Sequence, residues 1–139
     1  MDSSALITLL TGRMNASALE SFLASFPQAP LATCTVGFVE TVRHLDRAGS
    51  FPRALTDLDE RVTEILLGRE VRDLATRVDP GLRALDALHV ASALSMEREL
   101  AAFVTYDRRM LGAARKEGLP AHAPGMPDRP QSASVPPRL

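Results

Sequence analysis

Four acidic residues stand in places where a charge needs a reason. Asp2 is at the very N-terminus, Glu40 lies near the apolar stripe of a helix, Asp86 is in the opening turn of the most apolar helix, and Asp107 directly follows a short apolar run. Carboxylates pressed together repel one another, which raises their pKa values unless a cation neutralises them. Hard oxygen donors of this kind suit Mg²⁺ or Mn²⁺. One or two such ions can activate water and stabilise the leaving oxygen in phosphodiester hydrolysis, with no nucleophilic side chain required. Singly, each acid has a plainer explanation: Glu40 as a solvated helix acid, Asp86 as a helix-start charge favoured by the macrodipole, Asp107 as an N-cap. Only their joint placement makes a site.

That placement depends on the elements between them. Residues 1–10 read as an acid followed by a short helix with Ser3 or Ser4 as N-cap and Gly12 as its end. A second helix spans Ser17 to Phe26, opened by a Ser17-x-x-Glu20 capping box and stopped by Pro27. Leu31 to Cys34 is a buried strand feeding a helix capped by Thr35, which runs to about Arg47 and ends at Gly49. Phe51 to Leu58 looks helical, Val62 to Leu67 is strand or helix by periodicity, and Arg69 to Val78 is helical before the turn Asp79-Pro80-Gly81. Leu82 to Leu94 is a helix apolar on almost every side, broken only by the stripe Asp86, His89 and Ser92. Ala101 to Tyr106 reads as a buried strand, followed by the helix Arg108 to Glu117 and a short edge strand near Leu119 to Ala123.

Strand and helix thus alternate, the pattern of a parallel sheet covered on both faces. Ligands of such folds bind at the carboxyl ends of the strands, which is where the four acids converge. With 139 residues and 45% hydrophobic content, one compact domain needs no disulfide or metal staple. Residues 1–123 form that domain, and residues 124–139, rich in Pro with Ser, Gln and Arg, form a disordered tail. The single Cys34 cannot make an internal bridge, and no signal peptide or membrane-spanning run is present, so a cytoplasmic protein with no membrane partner is expected. A net charge of −1 argues against a general nucleic-acid coat protein; with four of the 17 acids in one site, however, 13 remain against 16 basic residues, a mildly basic surface. Aromatic residues, at 4% with no Trp, supply no stacking platform for single strands.

The other polar candidates read as structural. A lone His in a buried helix, such as His89, is more often a hydrogen-bonded core residue than a ligand, and His44 and His122 have no ligand pattern around them. Cys34 reads as a small buried hydrophobe with no Cys-His arrangement about it. Asp57, Asp59 and Glu60 form a solvated helix end. Arg83, Arg108 and Arg109 flank the acids and could hold substrate phosphates, those of RNA if the resemblance given below holds, or make plain surface ion pairs.

The segments Asp2-Ser3-Ser4-Ala5-Leu6, Val36-Gly37-Phe38-Val39-Glu40, Leu82 to Ala91 and Phe103-Val104-Thr105-Tyr106-Asp107-Arg108-Arg109 resemble the PIN-domain ribonucleases, specifically the VapC-type toxins of bacterial toxin-antitoxin modules. The resemblance covers Met1 to about Ala123, and the Asp86 and Asp107 segments are its specific part. It implies a three-layer α/β/α fold with a short central parallel sheet of four to five strands. It also implies that Asp2, Glu40, Asp86 and Asp107 bind Mg²⁺ or Mn²⁺, supported by the hydroxyls of Ser4 and Thr105. The activity implied is metal-dependent endoribonucleolytic cleavage of RNA, tRNA or rRNA, by a homodimer held inactive by a VapB-type antitoxin. The rival readings are a non-catalytic PIN-like interaction module and a structure-specific DNA nuclease. Relatives carry several apolar residues before the first Asp, forming the central strand, whereas only Met1 precedes Asp2 here. The expectation is a natural start upstream of Met1, since an α-amino group at this point would compete with the metal.

Overall fold

The computed structural model describes residues 1–127. Helix α1 spans Ser3–Thr11, and its N-cap is Asp2 rather than Ser3 or Ser4, because the Asp2 carboxylate accepts from the Ala5 amide at 3.0 Å. It ends at Gly12, whose φ of 65° is the left-handed conformation that closes a helix at little cost. Helix α2, Ala16–Ala24, has its N-cap two residues before the expected Ser17, at Asn15 with φ 74° and no side-chain cap. The Ser17-Glu20 box therefore does not form; Asn tolerates the left-handed region and lets the chain turn directly into the helix.

Strand β1 (Ala32–Cys34) leads straight into α3 (Thr35–Ala48), so Cys34 occupies the N-cap position expected for Thr35. The Thr35 hydroxyl instead donates to Glu64 at 2.8 Å. Helix α4 spans Ala54–Arg61, and the ambiguous run after it contains strand β2, Thr63–Ile65. Helices α5 (Arg69–Ala75) and α6 (Ala84–Ser95) pack on one another, and a single 3-10 turn, Glu97–Glu99, leads to β3 (Phe103–Val104). Helix α7 (Arg108–Lys116) and β4 (Ala121–His122) complete the described fold.

The strands are parallel within each pair, and helices supply the crossover connections that a parallel pair requires. They form two pairs: β1 with β2 in register Ala32↔Thr63 to Cys34↔Ile65, and β3 with β4 in register Phe103↔Ala121 and Val104↔His122. The sheet is smaller and less continuous than the four to five strands expected, since no strand among the described residues joins the pairs. Among the described residues they are linked by Met1, whose amine donates to the Ala32 carbonyl at 2.8 Å, and by Asp2, whose amide donates to that of Val104 at 3.1 Å.

Three apolar clusters hold this frame. The largest sets α6, through Val90 and Ala93, against Phe103, Met110, Leu111 and Ala114, and is extended by Leu119 and Met126. Leu6, Phe38, Leu58 and Val62 form the second, and Ala5, Leu19 and Val104 the third. Burying a side chain such as Leu6 or Val90, each fully removed from solvent, stabilises the fold by about 1.5–3 kcal/mol. Packing continues to Met126, and residues 128–139 of the expected tail lie outside the described residues.

Candidate active site

Asp2 is buried, and its carboxylate is ringed by hydrogen-bond donors. Besides the Ala5 amide, the Ser4 hydroxyl donates to Oδ1 at 2.7 Å, and the Thr105 hydroxyl to Oδ2 at 2.8 Å. Such bonds to a charged acceptor are the strong ones. Thr105, fully buried at the end of β3, also accepts from the Asp107 amide at 3.0 Å, while the Ser4 hydroxyl accepts from the Tyr106 amide at 2.9 Å. Two hydroxyls therefore fix the first acid to the loop carrying the last one, across |i−j| of 103 in sequence. Asp107 caps α7 as expected: its Oδ1 accepts from the Met110 amide at 2.9 Å, and Oδ2 accepts no hydrogen bond among the described residues.

Asp86 enters from α6. Its side chain keeps only 15% of its exposure, and Oδ2 accepts from Arg83 Nε at 3.2 Å. Asp86 and Asp107 face one another across a cleft of about 400 Å³ whose remaining walls are Arg83, Arg108 and Arg109. A cleft walled by two carboxylates and three guanidiniums can hold a polyanion against bound cations, and it is too polar for an apolar ligand.

Glu40 lies on α3 and is directed by His89 of α6, whose Nε2 donates to Glu40 Oε1 at 2.8 Å. On the other side of the imidazole, Cys34 Sγ lies 3.5 Å from Nδ1. Sequence reasoning placed His89 correctly as a hydrogen-bonded core residue, yet found no Cys-His arrangement around Cys34; the fold makes one, across 55 residues. Burial opposes the charged imidazolium, but the hydrogen bonds of Cys34 and Glu40 and the charges of Cys34 and Asp2 outweigh it, pushing the His89 pKa up to about 10. Burial likewise pushes the Cys34 thiol up, and His89 more than reverses this, leaving it below the usual thiol value. At 2% exposure Cys34 is closed to substrate, so the Cys34-His89-Glu40 chain orients Glu40 rather than supplying a nucleophile. Gly37 makes room for it: a Cβ there would collide with Thr33 Oγ1 and lie 2.9 Å from His89 Cε1. The signal available in sequence was the i, i+3 spacing of Asp86 and His89 on one stripe.

The structure thus ties Asp2 to Asp107 and sets Asp86 beside Asp107, while Glu40 is engaged separately by His89. Among the described residues no three His, Cys, Asp or Glu side chains are gathered at metal-holding distance. The donor chemistry nevertheless fits a hard cation, since Asp86 Oδ1, Asp107 Oδ2 and Glu40 Oε2 each accept no hydrogen bond among the described residues.

A family model described as "PIN domain" matches residues 1–116. The chain is 40% identical over 132 residues to Ribonuclease VapC47 of Mycobacterium tuberculosis (strain CDC 1551 / Oshkosh), covering 90% of this chain and 96% of that protein. To Ribonuclease VapC46 of Mycobacterium tuberculosis (strain ATCC 25618 / H37Rv) it is 32% identical over 130 residues, 89% of this chain and 95% of the relative. No solved structure gives a significant match. On this evidence the chain belongs to the PIN-domain family, in its VapC-type branch.

Proposed function

We propose that the protein is a metal-dependent endoribonuclease toxin in which Asp2, Glu40, Asp86 and Asp107 hold Mg²⁺ or Mn²⁺ and supply the hydrolytic centre. The observation that carries this reading is the Asp2–Thr105–Asp107 relay opening onto a cleft shared with Asp86 and three arginines. Both curated relatives are ribonucleases by name, which supports RNA as the substrate.

The chain's own groups divide the work. Ser4 and Thr105 hold Asp2 in one rotamer through their two hydroxyl donors. Arg108 and Arg109, at the start of α7, lie where a phosphate can be gripped from the same side as Asp107. Arg83 is 77% exposed and pairs with Asp86 without further support, so it can turn to a phosphate and release the carboxylate. Glu40 is aimed by His89 with one oxygen free. Bound among these acids, a divalent ion would lower the pKa of water and stabilise the departing 3′ oxygen.

The toxin setting follows from the VapC-type relationship: neutralisation by a VapB-type antitoxin, action as a homodimer, and a cytoplasmic place of work. No helix among the described residues is long and apolar enough to cross a membrane. The second reading, a non-catalytic interaction module, is favoured by one observation, that no three candidate ligands are gathered for a metal among the described residues. Cleavage of total tRNA and rRNA in Mg²⁺ separates the two. Wild type should cut and lose activity with chelator, and Asp86→Asn should be inactive. Equal cleavage by wild type and Asp86→Asn would exclude the acid cluster as the centre.

A further inference from the structure

After β4 the run Ala123-Pro124-Gly125-Met126-Pro127 leaves the backbone little freedom. The Met126 amide donates to the Ala123 carbonyl at 3.0 Å, with Pro124 and Gly125 between them and Gly125 at φ 84°. This is a type II turn, in which Pro sets φ at the first central position and glycine takes the positive φ of the second without strain. The turn is seated on both sides. A Cβ at Gly125 would lie 2.8 Å from Ala18 Cβ and 2.9 Å from Asn15 Oδ1, so the tip rests on the start of α2. Met126 packs into the cluster formed by α6, β3 and α7. A segment whose composition suggests an unstructured tail is thus fixed as far as Pro127, as a strap across the end of β4.

Two hydrogen bonds carry the strap to the candidate site. The Tyr106 hydroxyl donates to the Pro124 carbonyl at 2.8 Å, and Tyr106 stands between Thr105 and Asp107 in sequence. Arg108, one wall of the cleft, donates from Nη1 to the Pro127 carbonyl at 3.3 Å. This second bond differs in kind from the ion pair of Arg83 with Asp86. A carbonyl is neutral, so it limits where the guanidinium can go without cancelling its charge, and the other N–H donors stay open to phosphate. An exposed Arg without such a guide gives up its rotamer freedom only when it meets a ligand, at a cost to affinity.

We propose, taking Arg108 as a phosphate contact of the hydrolytic cleft, that residues 123–127 are a positioning strap for RNA binding. Seated on α2 and tied to Tyr106, the strap holds the Pro127 carbonyl where it presets the Arg108 guanidinium at the cleft wall. Part of the ordering that RNA would otherwise impose on this side chain is then complete before binding. The acids have supports of their own. Asp2 is held by Ser4 and Thr105, and Asp107 by the Met110 amide, none of which belongs to the strap. The strap therefore acts on RNA affinity through Arg108 and leaves the cation site alone.

The test uses the full chain with two strap changes, Gly125→Ala, which drives the tip off α2, and Tyr106→Phe, which keeps the ring but removes the bond to Pro124. Each is made alone and together with Arg108→Gln. Filter retention of a random-sequence RNA oligonucleotide reads the affinity, with chelator present so that nothing is cut. Each strap change alone is expected to weaken binding about three- to tenfold, the cost of immobilising one long side chain. Mn²⁺ affinity by calorimetry should stay at the wild-type value. Combined with Arg108→Gln, the same changes should add nothing, because no guanidinium is left to hold. Wild-type RNA affinity in both strap variants, or effects that add in full to that of Arg108→Gln, would overturn the proposal and leave the ribonuclease reading standing. A loss of Mn²⁺ affinity equal to the loss of RNA affinity would also overturn it, since the strap would then support the acids. If wild type retained no RNA, or Arg108→Gln bound as wild type does, the phosphate role of Arg108 would fail first and the strap's role with it.

Discussion

Replacing Thr105 by Val removes a single oxygen and tests the frame of the site. Thr105 is fully buried, so the isosteric methyl fills the same space and creates no cavity. The change deletes the 2.8 Å bond to Asp2 Oδ2 and strips the Asp107 amide of its 3.0 Å acceptor. A bond to a charged group contributes about 1.5–3 kcal/mol and a neutral one about 0.5–1.5 kcal/mol, so a loss of about 3 kcal/mol is expected. With a urea dependence of about 2 kcal/mol/M for a domain of this size, the unfolding midpoint should fall by about 1.5 M at unchanged slope. Thr105→Ser keeps the hydroxyl and gives up one methyl, at a cost of about 1 kcal/mol. Equilibrium unfolding of the three proteins therefore has a definite order, wild type above Ser above Val. If Val matched Ser, the relay between Asp2 and Asp107 would contribute nothing, and the reasoning would fail.

Three further outcomes are expected. Gly37→Ala should cost about 1–3 kcal/mol, because the new methyl meets Thr33 and His89, and calorimetry should show weaker Mn²⁺ binding as Glu40 loses its guide; wild-type stability and binding would count against that packing. Since the His89 pKa rises from 6.5 to about 10 on folding, its contribution is complete below about pH 6.5 and is lost as pH climbs toward 10. Cys34, held low in the fold, works with the opposite sign, so the stability gap between wild type and His89→Gln should close toward pH 10 by less than about 5 kcal/mol, as denaturant titrations at pH 6, 8 and 10 would reveal. Arg108→Gln and Arg109→Gln should each weaken RNA binding similarly across sequences and lower the salt slope by about 0.7, measured by filter binding over a salt series; an unchanged slope means the guanidinium touches no phosphate.

The parts of the site legible in the sequence were those written locally. Asp107 between an apolar run and a helix is an N-cap by position, and Asp86 in the first turn of an apolar helix follows from periodicity alone. The hydroxyls of Ser4 and Thr105 came from the family resemblance, and the fold gives them a physical task as donors to Asp2. Cap identities were less legible, because several short polar residues compete at each helix start. Asp2 prevailed over Ser3 and Ser4 since a carboxylate there also meets Thr105, a partner 103 residues away. The Cys34-His89-Glu40 chain was hidden for the same reason: its members sit on β1, α6 and α3, and only their packing brings them together. Sheet continuity was also beyond local signals, since it depends on what lies between β1 and β3 rather than on either strand.

The central claim is that Asp86 and Asp107, together with Asp2 and Glu40, hold a divalent cation. Calorimetric titration with Mn²⁺ addresses it without an RNA target, comparing wild type with Asp86→Asn and Asp107→Asn; Asn preserves the shape of both side chains and can still cap α7. Saturable binding by wild type, weakened at least about tenfold in each variant, is expected. A flat wild-type isotherm, or three isotherms that coincide, would contradict the claim.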